Sequence, residues 1–272
     1  MEVFKPDLQA EKLVEDKKMS NVTLSKISMP KKPQDLTEIF ITGWNLGKST
    51  FEQIVPFTLI YGIANVLHLS FFSFEAGEAN QAAVSPNFGF LNLLLSIVFI
   101  SINLAVFSSI VYRINAQIEG KALDFNKDLM FGINKLTSVW PLTIVYAFCV
   151  VVGLILLVVP GIYLAILLYF SFYYVILKDV KVIDSLRKSK DLVSSNWFRT
   201  AAVLIGTGAV FAIFLQLLIF PFHHLPMIMA LIEIAYYALV MPIFFGIYMA
   251  LYYDLEVRQL EKPPVPDSTT II

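Results

Sequence analysis

The feature that most constrains this chain is where its charges are missing. Residues 53–74, 79–112, 136–177, 200–232 and 234–253 contain no Asp, Glu, Lys or Arg. A helix needs about 20 apolar residues to cross the hydrocarbon core of a bilayer. The third run is twice that length, with Pro160-Gly161 near its middle. Such a pair makes tight turns, so this run predicts two helices, at about 139–159 and 162–177. The fourth run is interrupted by Pro221-Phe222-His223-His224-Leu225-Pro226. The pattern predicts six spanning helices arranged as three hairpins. Composition agrees: 15% of residues are charged, against roughly 25% in soluble globular proteins. That deficit, with a net charge of -1, excludes an ordinary soluble enzyme, a disordered chain and a nucleic-acid binder. A single cysteine, Cys149, excludes an intramolecular disulfide and a multi-thiolate metal site.

The basic residues are sorted. Eight lie before residue 51, four between the second and third predicted spans, six between the fourth and fifth, and two after the sixth, which accounts for all 20. The other three connections have none. The positive-inside rule then places both termini in the cytoplasm. Residues 1–35 alternate acids and bases without an apolar core, which reads as a solvated tail rather than a signal peptide. The Asn21-Val22-Thr23 sequon in that tail would not meet the glycosylation machinery. Residues 36–258 form the membrane domain, and residues 259–272, with Pro263, Pro264 and Pro266, a second tail.

Each predicted hairpin is preceded by a segment too polar to span. Aligned on Phe51, Trp140 and Trp197, these segments carry Leu36, Phe125 and Val182 fifteen residues earlier and Phe40, Leu129 and Leu186 eleven earlier. Gly43, Gly132 and Ser189 lie eight earlier, and Gly47, Leu136 and Val193 four earlier. Spacings of three and four put each set on one helix face. The pattern predicts an amphipathic helix in the cytoplasmic interface before each hairpin, an aromatic at headgroup depth, and a small residue where a neighbouring helix approaches. The whole reads as an all-α polytopic membrane protein with three repeats, at about 36–118, 124–179 and 182–258.

Reactive groups are scarce. Gly47-Lys48-Ser49-Thr50 resembles the end of a phosphate-binding loop, but Thr42 stands where the earlier glycine is required and no strand precedes it. His223-His224 lacks further ligands at metal spacing, and Cys149 reads as a packing residue. Glu233 is the one acid well inside a predicted span, and intramembrane carboxylates face a protein interior or an aqueous cavity. His68, Gln216 and Asn103 are further intramembrane polar residues, and with Glu233 they form a candidate cluster that could bind a lipid headgroup or relay a proton. No serine elbow, zinc-binding histidine pair or paired carboxylates are present, so no catalytic, cofactor or metal site is expected.

One stretch carries a family resemblance. It runs Leu156-Leu157-Val158-Val159-Pro160-Gly161-Ile162-Tyr163-Leu164, then Asp184-Ser185-Leu186-Arg187-Lys188-Ser189, then Leu192 and Asn196-Trp197. This resembles the YciC-like family of bacterial inner-membrane proteins and the related membrane domain attached to some glycerophosphodiester phosphodiesterases. Ser185 replaces the family's usual alanine and Lys178-Asp179 its usual acidic pair. The resemblance implies a six-helix domain in which Pro160, Gly161, Leu186, Ser189 and Trp197 are structural. In the phosphodiesterases the chemistry belongs to a separate soluble barrel, which this chain lacks. The expectation is a non-enzymatic inner-membrane protein acting in envelope or lipid homeostasis, with membrane lipids and a membrane or cytoplasmic protein as partners. The alternative is a small-molecule or lipid transporter that uses the repeat interface, with Glu233 and His68 on the path.

Overall fold

A computed structural model describes residues 27–78, 86–121 and 124–261. The Asn21 sequon, most of the predicted N-terminal tail and residues 262–272 lie outside the described residues. Within them the chain is almost wholly helical, with no strand. The helices are α1 (Leu36–Glu78), α2 (Pro86–Ile118), α3 (Phe125–Leu156), α4 (Val158–Leu168), α5 (Ser171–Lys178), α6 (Val182–Val193), α7 (Trp197–Ile219) and α8 (Pro226–Leu260). Six stretches are long and apolar enough to cross a membrane, with α4–α5 and α6–α7 each counted as one continuous stretch. The chain is therefore compatible with an integral, multi-pass membrane protein.

Helix starts follow local chemistry. Asp35 and Glu38 form a capping box on α1: Glu38 N–H donates to Asp35 Oδ1 at 2.7 Å, and Asp35 N–H donates to Glu38 Oε2 at 2.9 Å. Asp124 caps α3 by accepting from the Asn126 and Lys127 amides. Pro56 and Pro141 stand near the junctions between the polar segments and the apolar runs of the first two repeats, yet α1 and α3 each continue through them as one helix. The third polar segment is a separate helix, α6, joined to α7 by a 3-10 turn at Ser194–Asn196.

The turn expected at Pro160-Gly161 lies three residues earlier. Leu157 is extended (φ -166°, ψ 148°) and separates α3 from α4. Pro160 instead sits in the first turn of α4, where its missing N–H would be unpaired anyway. Gly161 serves close packing: a Cβ there would fall 2.4 Å from Leu154 Cγ, and one on Gly153 would fall 2.8 Å from Gly161 Cα. Two glycines thus let α3 and α4 meet directly behind the Leu157 break.

The most extensive helix–helix contact joins the first long helix to the last, antiparallel, α1 against α8. It is a contact of backbones. A Cβ on Gly43 would lie 2.4 Å from Ile247 Cα, one on Gly47 2.6 Å from Ile243 Cα, and one on Gly246 2.4 Å from the Gly43 carbonyl oxygen. Gly43 and Gly47 are one turn apart on one face, the small-xxx-small spacing that lets membrane helices approach closely. Thr58 adds a hydroxyl donated to the Ala238 carbonyl at 3.3 Å. The other two small residues aligned with Gly43 also meet neighbours. A Cβ on Gly132 would lie 2.2 Å from the Ala105 carbonyl oxygen of α2, and Ser189 donates to the Leu167 carbonyl of α4 at 2.8 Å.

The core is richest where α5 meets the C-terminal half of α8. Phe170, Tyr173 and Tyr174 pack on Tyr252, and Tyr169 packs edge-on against Tyr248. Large apolar side chains on other helices face outward: Phe148, Ile155, Leu217 and Met227 are all mostly exposed.

Candidate functional site

The buried charge of this protein gathers at helix ends. Asp254, near the end of α8, has no exposed side-chain surface. Its Oδ1 accepts from the Gln34 amide at 2.7 Å; its Oδ2 accepts from Arg199 Nε at 3.2 Å and Arg258 Nε at 2.9 Å. Each guanidinium also donates through Nη2 to the Gln34 carbonyl. One carboxylate and one peptide unit therefore hold two arginines, and tie together the approach to α1, the start of α7 and the end of α8. A lone buried carboxylate would be costly; three donors and two cations satisfy this one.

Three further ion pairs join other helix ends. Arg113 of α2 pairs with Asp128 of α3, both side chains nearly enclosed. Lys135 of α3 pairs with Asp179 and donates to the Val175 carbonyl at 3.3 Å. Asp179 closes α5 in the left-handed region (φ 51°), which aspartate tolerates better than most residues. Lys178 pairs with Glu256. Tyr253 donates to Asn115 at 2.6 Å, connecting the ends of α8 and α2. Beyond the end of α2, hydrogen bonding to Lys121 holds the Glu119 carboxyl below its ordinary pKa.

Beside the Asp254 cluster lies a groove of about 940 Å³. α4 contributes Val159, Ile162 and Tyr163. The α6–α7 link contributes Ser194, Ser195 and Asn196. Trp197, Phe198 and Arg199 from α7 and Arg258 from α8 complete it. Trp197 stacks on Tyr163 at 5.4 Å and donates its indole N–H to the Tyr163 carbonyl at 3.3 Å. The charge-based topology sets Pro160-Gly161 and Trp197 at opposite faces of the membrane, whereas this contact brings Tyr163 of α4 beside Trp197. Tyr163 is six residues beyond Leu157, about 9 Å of helix, whereas a crossing requires about 30 Å. The start of α4 therefore lies at the same end of the molecule as Trp197 and Arg199.

The candidate intramembrane residues are distributed over four helices. Asn103 on α2 accepts from Asn65 Nδ2 on α1 at 3.0 Å. His68 on α1 packs near the Phe99 ring, at 5.3 Å between centroids. Glu233 is half-buried on α8, and Gln216 is exposed on α7. Among the described residues no hydrogen bond or ion pair joins Glu233 to Gln216. The His223 and His224 rings lie against each other, tilted by 46°, in the α7–α8 turn, and no group of three His, Cys, Asp or Glu side chains converges as a metal site among the described residues. Of the motif residues, Ser189 is buried, Leu186 and Trp197 are half-buried, and Pro160 and Gly161 lie in the first turn of α4.

Sequence reasoning assigned the basic residues to topology and missed Asp254 as a cluster centre. The one local signal is Asp254 with Arg258, a helical i,i+4 pair. Gln34 and Arg199 come from 220 and 55 residues away. No family model matches this chain, and no curated protein or solved structure is detectably similar to it.

Proposed function

We propose that this protein is a non-catalytic, multi-pass component of a bacterial inner membrane that works in envelope or lipid homeostasis by binding lipid. The observation that carries the reading is segregation. Large apolar side chains such as Ile155 and Met227 face outward along the helices, while ionic groups pair at helix ends. Water would penalise that apolar surface, and lipid would not.

In this reading α1 and α2 form one membrane hairpin, and α7 and α8 another. Their basic ends, and both termini, face the cytoplasm. The α3–α4 hairpin enters from that same face and turns back at Leu157, which accounts for the contact between Tyr163 and Trp197. The polar stretches at the starts of α1 and α3, with α6, form a collar at the cytoplasmic interface. The YciC-like resemblance of residues 150–200 fits such a domain and supplies no reaction.

The transporter alternative requires Glu233, His68, Gln216 and Asn103 to line one polar path. The outward position of Gln216 on α7 favours lipid binding over that arrangement. Purification in native lipid, followed by mass spectrometry of the molecules retained, tests the reading. Reproducible retention of phospholipid supports it. A retained polar solute, or no retained small molecule with a stable protein partner, contradicts it.

A further inference from the structure

The groove beside Arg199 and Arg258 has features that its structural role does not require. The two guanidiniums are held by Asp254 and by the Gln34 carbonyl, which engage Nε and Nη2 of each. Nη1 of each makes no hydrogen bond within the described residues, and both side chains line the groove. Two cations against one buried carboxylate leave a single net positive charge. The donors are fixed in place before any ligand arrives, so little ordering entropy remains to be lost on binding. Ser195, which is exposed, adds a hydroxyl to the lining.

The lining also includes uncovered apolar side chains. Val159 is 76% exposed and Phe198 85%. The stacked Tyr163 and Trp197 rings lie in the same groove, and aromatic side chains of this kind favour headgroup depth. A soluble anion would use the arginines and leave the apolar lining in water. A lipid without an anionic group would use the apolar lining and leave the arginines unanswered. A phosphodiester headgroup carrying one negative charge, with acyl chains attached, matches both.

We propose that this groove is a binding site for an anionic phospholipid. The phosphate is held by Nη1 of Arg199 and Arg258 with help from Ser195, and the acyl chains run along Val159, Ile162 and Phe198. The proposal rests on the lipid-binding reading above and gives it a site and a headgroup class.

The test is a native mass-spectrometric titration of the full chain in detergent, with phosphatidylglycerol and phosphatidylethanolamine of identical acyl chains. Both headgroups offer the phosphodiester, but phosphatidylethanolamine adds an ammonium that the site's net positive charge repels, so wild type is expected to bind the anionic lipid about tenfold more tightly, the scale of one like-charge contact near a protein surface. S195D and V159D place a carboxylate in the groove without touching the Asp254 cluster, and each is expected to abolish that preference. R258Q should weaken phosphatidylglycerol selectively. K127E removes an exposed cation on α3, changes net charge by two, and should leave the preference intact. Inorganic phosphate at millimolar concentration should not displace the lipid. Equal binding of the two lipids by wild type overturns the proposal. So does a preference that survives S195D and V159D, or displacement by inorganic phosphate. If phospholipid is retained while the groove variants behave as wild type, the site falls and the lipid-binding reading stands. If wild type binds neither lipid, both fall.

Discussion

Replacing Asp254 with alanine removes the acceptor for three donors at once and leaves two guanidiniums facing each other without a counter-charge. Breaking a buried ion pair by deleting one partner costs about 3–5 kcal/mol. Arg199 and Arg258 keep 19% and 24% of their side-chain surface exposed, so water recovers part of their solvation. The loss should therefore fall near the lower bound, about 3 kcal/mol, or a roughly 150-fold change in the unfolding equilibrium. D254N preserves shape and one carbonyl acceptor for the Gln34 amide while removing the charge, and should cost about 1–2 kcal/mol. The assay is reversible unfolding in mixed micelles with increasing SDS, followed by tryptophan fluorescence. Trp197 is two residues from Arg199 and reports on the same region. Because the hydrogen bonds of Gln34 among the described residues are to this cluster and to Thr42, D254A should also speed proteolysis in the segment preceding α1. A D254A stability within about 0.5 kcal/mol of wild type, the range of an ordinary surface substitution, would refute the idea that this carboxylate organises the basic end.

Three other outcomes follow from the packing and the site. G246L and G132L push side chains into backbone atoms 2.2–2.6 Å from the new Cβ and should each destabilise by about 1–3 kcal/mol; G206A and G208A, whose Cβ positions meet nothing within 4 Å, should be neutral or stabilising by up to about 1 kcal/mol in the same unfolding assay. In a C149A background, L157C should resist an impermeant maleimide applied to intact cells, because the α3–α4 turn lies at the Trp197 end; labelling as rapid as at an outer turn would show a full crossing. E233Q should leave lipid retention unchanged, whereas a loss of measured solute flux in E233Q vesicles would support the transporter alternative instead.

How much of this was legible in the sequence depends on the range of the interaction. Charge gaps are local, so the six apolar stretches could be read directly. The polar segments of the first two repeats read as separate interfacial helices, but α1 and α3 each run on through Pro56 and Pro141 into the apolar run. The Pro160-Gly161 pair was read as a turn. Pro160 is equally at home in the first turn of a helix, and contact between Gly153 and Gly161 moved the break to Leu157. The Asp254 cluster draws its partners from three distant parts of the chain, and no spacing announces it. The backbone contact of Gly43 and Gly47 with Gly246 is similar: the glycines are visible, their partner is not. The four intramembrane polar residues were singled out because each is anomalous in an apolar run, which says that they need partners without saying which.

In the proposed topology the chain crosses the membrane with its basic connections on one face. Single cysteines at Lys121, Ser195 and His224, each in the C149A background, test it by labelling with an impermeant maleimide before and after permeabilisation of bacterial cells. H224C is expected to label in intact cells, while K121C and S195C are expected to label only after permeabilisation. Labelling of all three under the same condition, or of S195C and not H224C in intact cells, would contradict it.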